Sequence, residues 1–162
     1  RLRDESIKKI EQCHIVGKGY YSQAVGTERF DASCLQLISM NYLNPKSKLA
    51  QSHLREMEKA LKADGGLFYR YVHADDFGDV KSTFLICGFW YVECLACVGR
   101  LDDALAYFED LNKYTNHVGL LSEDVDAPTG SQWGNFPQAY SHVGQVNAAY
   151  RINKELGLPN FL

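Results

Sequence analysis

Basic residues are not in excess. Lys and Arg number 17 against 20 Asp and Glu in 162 residues, for a net charge of −3 and a pI of about 5.9. Such a chain lacks the positive surface that tracks a phosphate backbone, so no nucleic-acid partner is expected. A phosphate loop and a dinucleotide fingerprint are also missing. There is no long apolar run: the longest, Phe84 to Val92, is too short to cross a bilayer and stops at Glu93. With no signal peptide visible, no membrane association is expected. The cysteines lack a pairing pattern. Cys13, Cys34, Cys87, Cys94 and Cys97 make an odd number, and the CxxC at Cys94–Cys97 has no second Cys or His pair nearby. They read as reduced thiols buried as small hydrophobes, which suits a cytoplasmic protein with no metal and no cofactor. The chain opens at Arg1 without Met and enters a helical pattern almost at once, which reads as part of a longer protein.

What the chain does have is apolar content of 46% with 23% charged residues, enough to build the core of a single domain over residues 1–162. Aromatic residues reach 12%, more than such a core needs, so some rings are expected to line something. Periodicity predicts six helices and no convincing sheet. The first covers roughly 4–14. The second, 31–43, is apolar nearly all round. The third, 46–61, carries a narrow stripe of Ala50, Leu54, Met57 and Leu61. The fourth, 82–98, is apolar on all sides and closes at Gly99. The fifth, 101–111, returns to one stripe, and the sixth, 137–156, opens with Pro137 at its first turn. Helices with one stripe lie outside and helices apolar all round lie inside. The pattern is therefore all-α, helical hairpins in two layers, with the second, fourth and sixth helices within.

The connections alternate as well. The turns at Asn44-Pro45 and Gly99-Arg100 are short. The other three connections are long, and in two layers they share the end where the inner helices begin. Loops of that length are uncommon unless they carry function. They also echo one another: Gly19-Tyr20-Tyr21-Ser22-Gln23, Gly66-Leu67-Phe68-Tyr69-Arg70 and Gly119-Leu120-Leu121-Ser122-Glu123. Gly19 lies 47 residues before Gly66, and Gly66 lies 53 before Gly119. Thirteen glycines supply many chance starts. Agreement in phase with the helices favours a repeat of one helical-hairpin unit. A tetratricopeptide array, with a period of about 34 residues and short loops, does not fit. The echo singles out Gln23, Arg70 and Glu123.

Glu123 stands in a run with Asp124 and Asp126. On composition alone that run is a solvated turn. Its long loop, with Trp133 and Gly134 close behind, suits a carboxylate acting as general base on a water beside rings that stack on sugars. Arg70, between Tyr69 and Tyr71, offers fixed donors for hydroxyls or carboxylates. An ion pair with Asp75 or Asp76 is an equal alternative and can coexist with that role. Asp75-Asp76-Phe77-Gly78 lacks the further oxygen ligands of a metal loop. Of the five histidines, His53 is expected to face solvent on an outer helix, and His142 is a candidate to face the cavity.

The segment Gly119–Asp126, followed by Gly134-Asn135-Phe136-Pro137-Gln138-Ala139-Tyr140-Ser141-His142, resembles the C-terminal part of the glucoamylase family, glycoside hydrolase family 15, whose bacterial members include glucoamylase-like enzymes and trehalases. Tyr69-Arg70-Tyr71 with Asp75–Gly78 resembles its substrate-binding segment; Phe30–Leu35 and Gly99-Arg100 also fit. The resemblance implies an (α/α)6 barrel with its site among the loops at the inner-helix N-termini. It also implies inverting hydrolysis of α-glucosidic bonds in glucans, oligosaccharides or trehalose. Glu123 matches the general base and Arg70 a substrate-binding arginine; Trp133 and Tyr140 fall near the cavity-lining region. Six helices are half of the twelve, and the general acid of the family lies in a Trp-Glu segment that this sequence lacks. The chain thus resembles the C-terminal half of the catalytic domain, expected either to pair with a missing N-terminal half or to self-associate. The alternative is a non-catalytic helical-hairpin scaffold or carbohydrate-binding fragment. Reading upstream of Arg1 for a Trp-Glu segment would separate the two.

Overall fold

A computed structural model of the chain describes residues 1–76 and 78–159. Among these residues it is an all-α, half-barrel-like fold of six α-helices. They are α1 (Leu2–Glu11), α2 (Gln36–Ser39), α3 (Lys48–Leu61), α4 (Leu85–Cys97), α5 (Leu101–Asn112) and α6 (Ala139–Glu155). Five two-residue strands punctuate the loops: β1 (His14–Ile15), β2 (Tyr20–Tyr21), β3 (Thr83–Phe84), β4 (Asp124–Val125) and β5 (Gln132–Trp133). β1 and β2 form an antiparallel hairpin, and β3, β4 and β5 form a small antiparallel sheet in that order.

α4 is the centre of the molecule. Every residue from Leu85 to Ala96 is buried, as a helix apolar all round requires. α6 crosses it closely because Gly144 has no side chain. A Cβ there would stand 2.8 Å from the Ile86 Cδ1 and 3.0 Å from the Phe89 Cβ. α3 presents the expected stripe of Ala50, Leu54, Met57 and Leu61 to the core. Ser47 caps it by accepting from the Ala50 N–H at 3.1 Å. The α4–α5 turn is a Schellman motif. Gly99 takes φ +88°, its N–H reaches the Ala96 carbonyl, and the Arg100 N–H reaches that of Leu95.

Several sequence expectations change. The second helix is not one long helix: a 3₁₀ turn, Ala32–Leu35, runs into the single turn of α2. Asp31 causes this by accepting from the Ser33 N–H at 2.8 Å, which tightens the start. Pro137 precedes α6 rather than opening it, because the Gln138 side chain caps the helix by accepting from the Tyr140 N–H. α6 is not covered on all sides. Ser141, Gly144, Ala148 and Ile152 are buried, while Tyr140, Val143, Val146 and Tyr150 stand exposed. His53 does not face solvent. It is fully buried, its Nδ1 accepting from the Tyr21 N–H at 3.2 Å and its Nε2–H donating to the Cys34 carbonyl at 3.0 Å.

The long loops do meet at one end, and their echo has a structural counterpart. Ala32 and Leu85, the first residues of two inner helices, are 53 positions apart, as are Arg70 and Glu123. The Ala32 N–H donates to the Arg70 carbonyl at 2.8 Å, and the Leu85 N–H donates to the Glu123 carbonyl at 3.0 Å. The same hydrogen bond thus ties both of these helix starts to the loop of the next unit.

Candidate active site

The bond from Leu85 fixes Glu123 at the mouth of α4, and β4 begins at the next residue. The Glu123 N–H donates to the Asn135 carbonyl at 3.0 Å. Its carboxylate Oε2 accepts from the Asn135 backbone N–H at 3.0 Å and from the Asn135 Nδ2 at 2.8 Å. Gly134 makes room for this contact. It sits at φ +76°, and a Cβ there would lie 2.9 Å from both the Cβ and the Oε2 of Glu123.

Glu123 lines a cavity of about 460 Å³ together with Arg70, Asp75, Lys81, Phe84 and Asp124, with Tyr71 and Asp79 also in its wall. The Arg70 Nε donates to the Asp31 Oδ1 at 2.7 Å. Burial opposes the charge on Arg70, but the hydrogen bond and charge of Asp31 raise its pKa overall. The ion-pair partner is therefore Asp31, not Asp75 or Asp76. Asp31 is set for the task because the same oxygen caps the 3₁₀ turn of the preceding unit. The Asp124 Oδ2 accepts from the Ser82 hydroxyl at 2.6 Å. Burial pushes the Asp124 pKa up, the Ser82 bond pulls it back, and the Glu123 charge adds to the rise.

A second cavity of about 460 Å³ opens on the other side of Arg70, lined by Gln36, Met40, Trp90, Glu93, Tyr140 and Asn147 among others. Tyr140 stands at the partition. Its ring meets Phe84 edge-on at 6.3 Å and Trp90 at 6.1 Å. Burial raises Glu93 to about 7, against the lowering effect of Arg151.

The structure brings Glu123, Arg70 and Asp75 to one cavity, and Tyr140 to its neighbour. Asp75 also accepts a hydrogen bond from the Tyr71 hydroxyl at 2.5 Å. Asp76 and Gln23 are exposed and line neither cavity, and Phe77 of the same motif lies outside the described residues. Trp133 does not shape the Glu123 cavity. β5 sets it opposite Asp124, where the residue is 62% exposed beside a smaller hollow of about 140 Å³. His142 is turned away from the cavity to accept the Leu121 N–H on Nε2 at 3.2 Å. Asp31, Ser82, Asp124 and Asn135 went unnoticed as members of the site. Asp31, Asp124 and Asn135 lie inside motifs quoted above; of the four, Ser82 alone leaves no such signal.

The model of the glycosyl hydrolases family 15 matches residues 1–150. The chain is 33% identical over 156 residues to a trehalase of Thermoplasma volcanium, covering 96% of this chain and 25% of that protein. It is 35% identical over 134 residues to a trehalase of Thermoplasma acidophilum, covering 83% and 23%. A trehalase of Mycobacterium tuberculosis is 29% identical over 153 residues, covering 93% and 22%. The chain thus spans about a quarter of the length of these relatives. A solved wild-type glycosidase superposes with a TM-score of 0.76 at 20% identity, covering 98% of this chain and 44% of that one. A glycosidase variant in complex with glucose gives 0.76 at 19%, with the same coverage. No helix among the described residues is long and apolar enough to cross a membrane.

Proposed function

The chain belongs to glycosyl hydrolases family 15, and from that premise we propose that it is the base-supplying part of an inverting α-glucoside hydrolase, with trehalose as the favoured substrate. The observation that carries this reading is the setting of Glu123. Its carboxylate lies in the wall of a sugar-sized cavity, with both hydrogen bonds on one oxygen and Arg70 in the same wall. Anchoring one oxygen fixes the carboxylate plane and leaves the other to take a proton. The trehalase relatives supply the preference for trehalose over longer α-glucans.

In such a reaction Glu123 removes a proton from a water as its oxygen attacks the anomeric carbon. A second carboxylic acid protonates the departing glycosidic oxygen from the opposite side, about 6.5–9.5 Å away. That acid comes from outside these 162 residues, in keeping with relatives about four times longer. Arg70, its charge secured by Asp31, holds sugar hydroxyls. Water entering at one anomeric carbon of trehalose inverts it, so one glucose leaves as the β anomer and the other keeps its α configuration.

The test uses the full-length protein. Fresh hydrolysate of trehalose, followed by proton NMR before mutarotation, is expected to show equal α- and β-glucose. Glu123→Gln is expected to lower kcat by about 10²–10⁴-fold with an unchanged fold, because an amide cannot accept the proton. Only α-glucose at early times, or full activity in Glu123→Gln, would remove Glu123 from this role.

A further inference from the structure

The motif from Asn135 to His142 does more than precede α6: Asn135, Gln138, Ser141 and His142 each bond the segment that ends in Glu123. The Gln138 N–H donates to the Leu121 carbonyl at 2.9 Å, and the Ser141 hydroxyl donates to the Ser122 backbone carbonyl at 2.8 Å. His142 Nε2 accepts from the Leu121 N–H, which sets its tautomer, with Nδ1 toward the Gln145 Oε1 at 3.4 Å. Asn135 completes the grip at the carboxylate itself. Its carbonyl accepts the Glu123 N–H, and its own N–H and Nδ2 both donate to the Glu123 Oε2. The three anchors deeper in the loop fix the main chain. Among the described residues, only Asn135 hydrogen-bonds the Glu123 side chain.

We propose that Asn135 is a positioning residue for the hydrolytic water. By donating twice to the Oε2 of Glu123 it decides which carboxylate oxygen faces the water and at what angle. This rests on the reading of Glu123 as general base. A base must stay within hydrogen-bond reach of the water along the line of attack, and small misplacements cost rate rather than binding. The side-chain amide of Asn135 is uncharged, so it orients the carboxylate without neutralising it. Gly134 belongs to the same device, because any side chain there would push into the atoms that Asn135 holds.

The experiment uses the full-length protein with trehalose. In Asn135→Ala the backbone donor stays and the Nδ2 donor is lost. The expected result is a fall in kcat of about 10- to 100-fold with KM within a factor of about two. Asn135→Asp keeps the shape and sets a second carboxyl against Glu123. Two carboxyls that close share a proton, so the acidic limb of the kcat/KM profile is expected to move up by about one pH unit or more. Arg70, Tyr71, Asp75, Asp79, Lys81 and Asp124 also line this cavity. They are the same in both proteins, so a displaced limb reports the contact at residue 135. A merely structural role would lower stability without moving the limb. Asn135→Ser, which retains a side-chain donor, serves if either variant fails to fold, and is expected to keep more kcat than Asn135→Ala or, where that variant does not fold, to lose less than tenfold.

Native kcat in Asn135→Ala together with an unmoved limb in Asn135→Asp overturns the proposal. So does a rise in KM alone. If Glu123→Gln is inactive in those circumstances, the general-base reading survives without its positioning partner. If Glu123→Gln is active, that reading fails too, and the two failures are told apart by this one variant.

Discussion

At the scale of single residues the site depends on a glycine as much as on its acids. Gly134 combines φ +76° with a carboxylate 2.9 Å from where a Cβ would stand. Neither the atoms of Glu123 nor the backbone of β5 can yield without loosening the Asn135 contact. Gly134→Ala in the full-length protein is therefore expected to cost about 1–3 kcal/mol of stability from the left-handed backbone. It should also lower kcat by about tenfold or more as the carboxylate is displaced. Thermal unfolding and steady-state kinetics together check this; a destabilised variant with native kcat would show that the carboxylate tolerates the shift. Arg70 shows the converse. Its position between aromatic residues was legible, but its partner was not. Asp31 lies 39 positions away in the preceding unit, and nothing local distinguishes it from Asp75 or Asp76.

At the scale of elements, legibility follows the length over which a pattern repeats. α3, α4 and α5 each run for three turns or more, so the stripes of α3 and α5 and the all-round apolar pattern of α4 stand above chance, and their bounds fall close to those expected. The 3₁₀ turn and α2 together span eight residues whose course is set by the Asp31 cap, and the strands are two residues long, too short for any period to show. His53 is expected on the solvent side yet is buried, for a related reason: its partners are the Tyr21 N–H and the Cys34 carbonyl, backbone groups that leave no trace in side-chain pattern. That histidine latches the first loop and the 3₁₀ turn to α3. Burial lowers its pKa below the ordinary 6.5, the Cys34 bond raising it and His14 lowering it further. Both states are neutral above about 6.5. Below it the unfolded chain takes up the proton first, so the stability contributed is lost as pH falls through 6.5 toward the folded value. The unfolding temperature is expected to drop across that window in the native chain and to drop less in His53→Asn. Parallel pH profiles for the two proteins would place the acid sensitivity elsewhere.

At the scale of the whole molecule, α6 carries the consequence of a fold that is half-barrel-like. Its buried side, Ser141, Gly144, Ala148 and Ile152, is small and packs on α4. Its other side shows Tyr140, Val143, Val146 and Tyr150 to solvent, with Met40 of the neighbouring turn 76% exposed beside them. A soluble monomer tolerates apolar patches of a few hundred Å² at most. In a protein of the relatives' length, further helices would cover this face. In the 162-residue chain expressed alone, the simplest cover is a second copy, paired face to face about a two-fold axis. Such a pair restores twelve helices but, on the proposed reading, holds the base Glu123 twice and no general acid of the family type. Light scattering at micromolar concentration is thus expected to show dimers or larger assemblies, and a glucose-release assay on trehalose and maltose to show no hydrolysis. Val146→Lys, at an exposed position of α6, is expected to return the chain toward the monomer by placing a charge on the covered face without touching the α4 contact. A native chain that stays monomeric would mean that α6 does not need the cover inferred here. Hydrolysis by the isolated chain would mean that one of its own carboxyls supplies the acid, with Asp124, whose pKa burial raises, the first to be replaced.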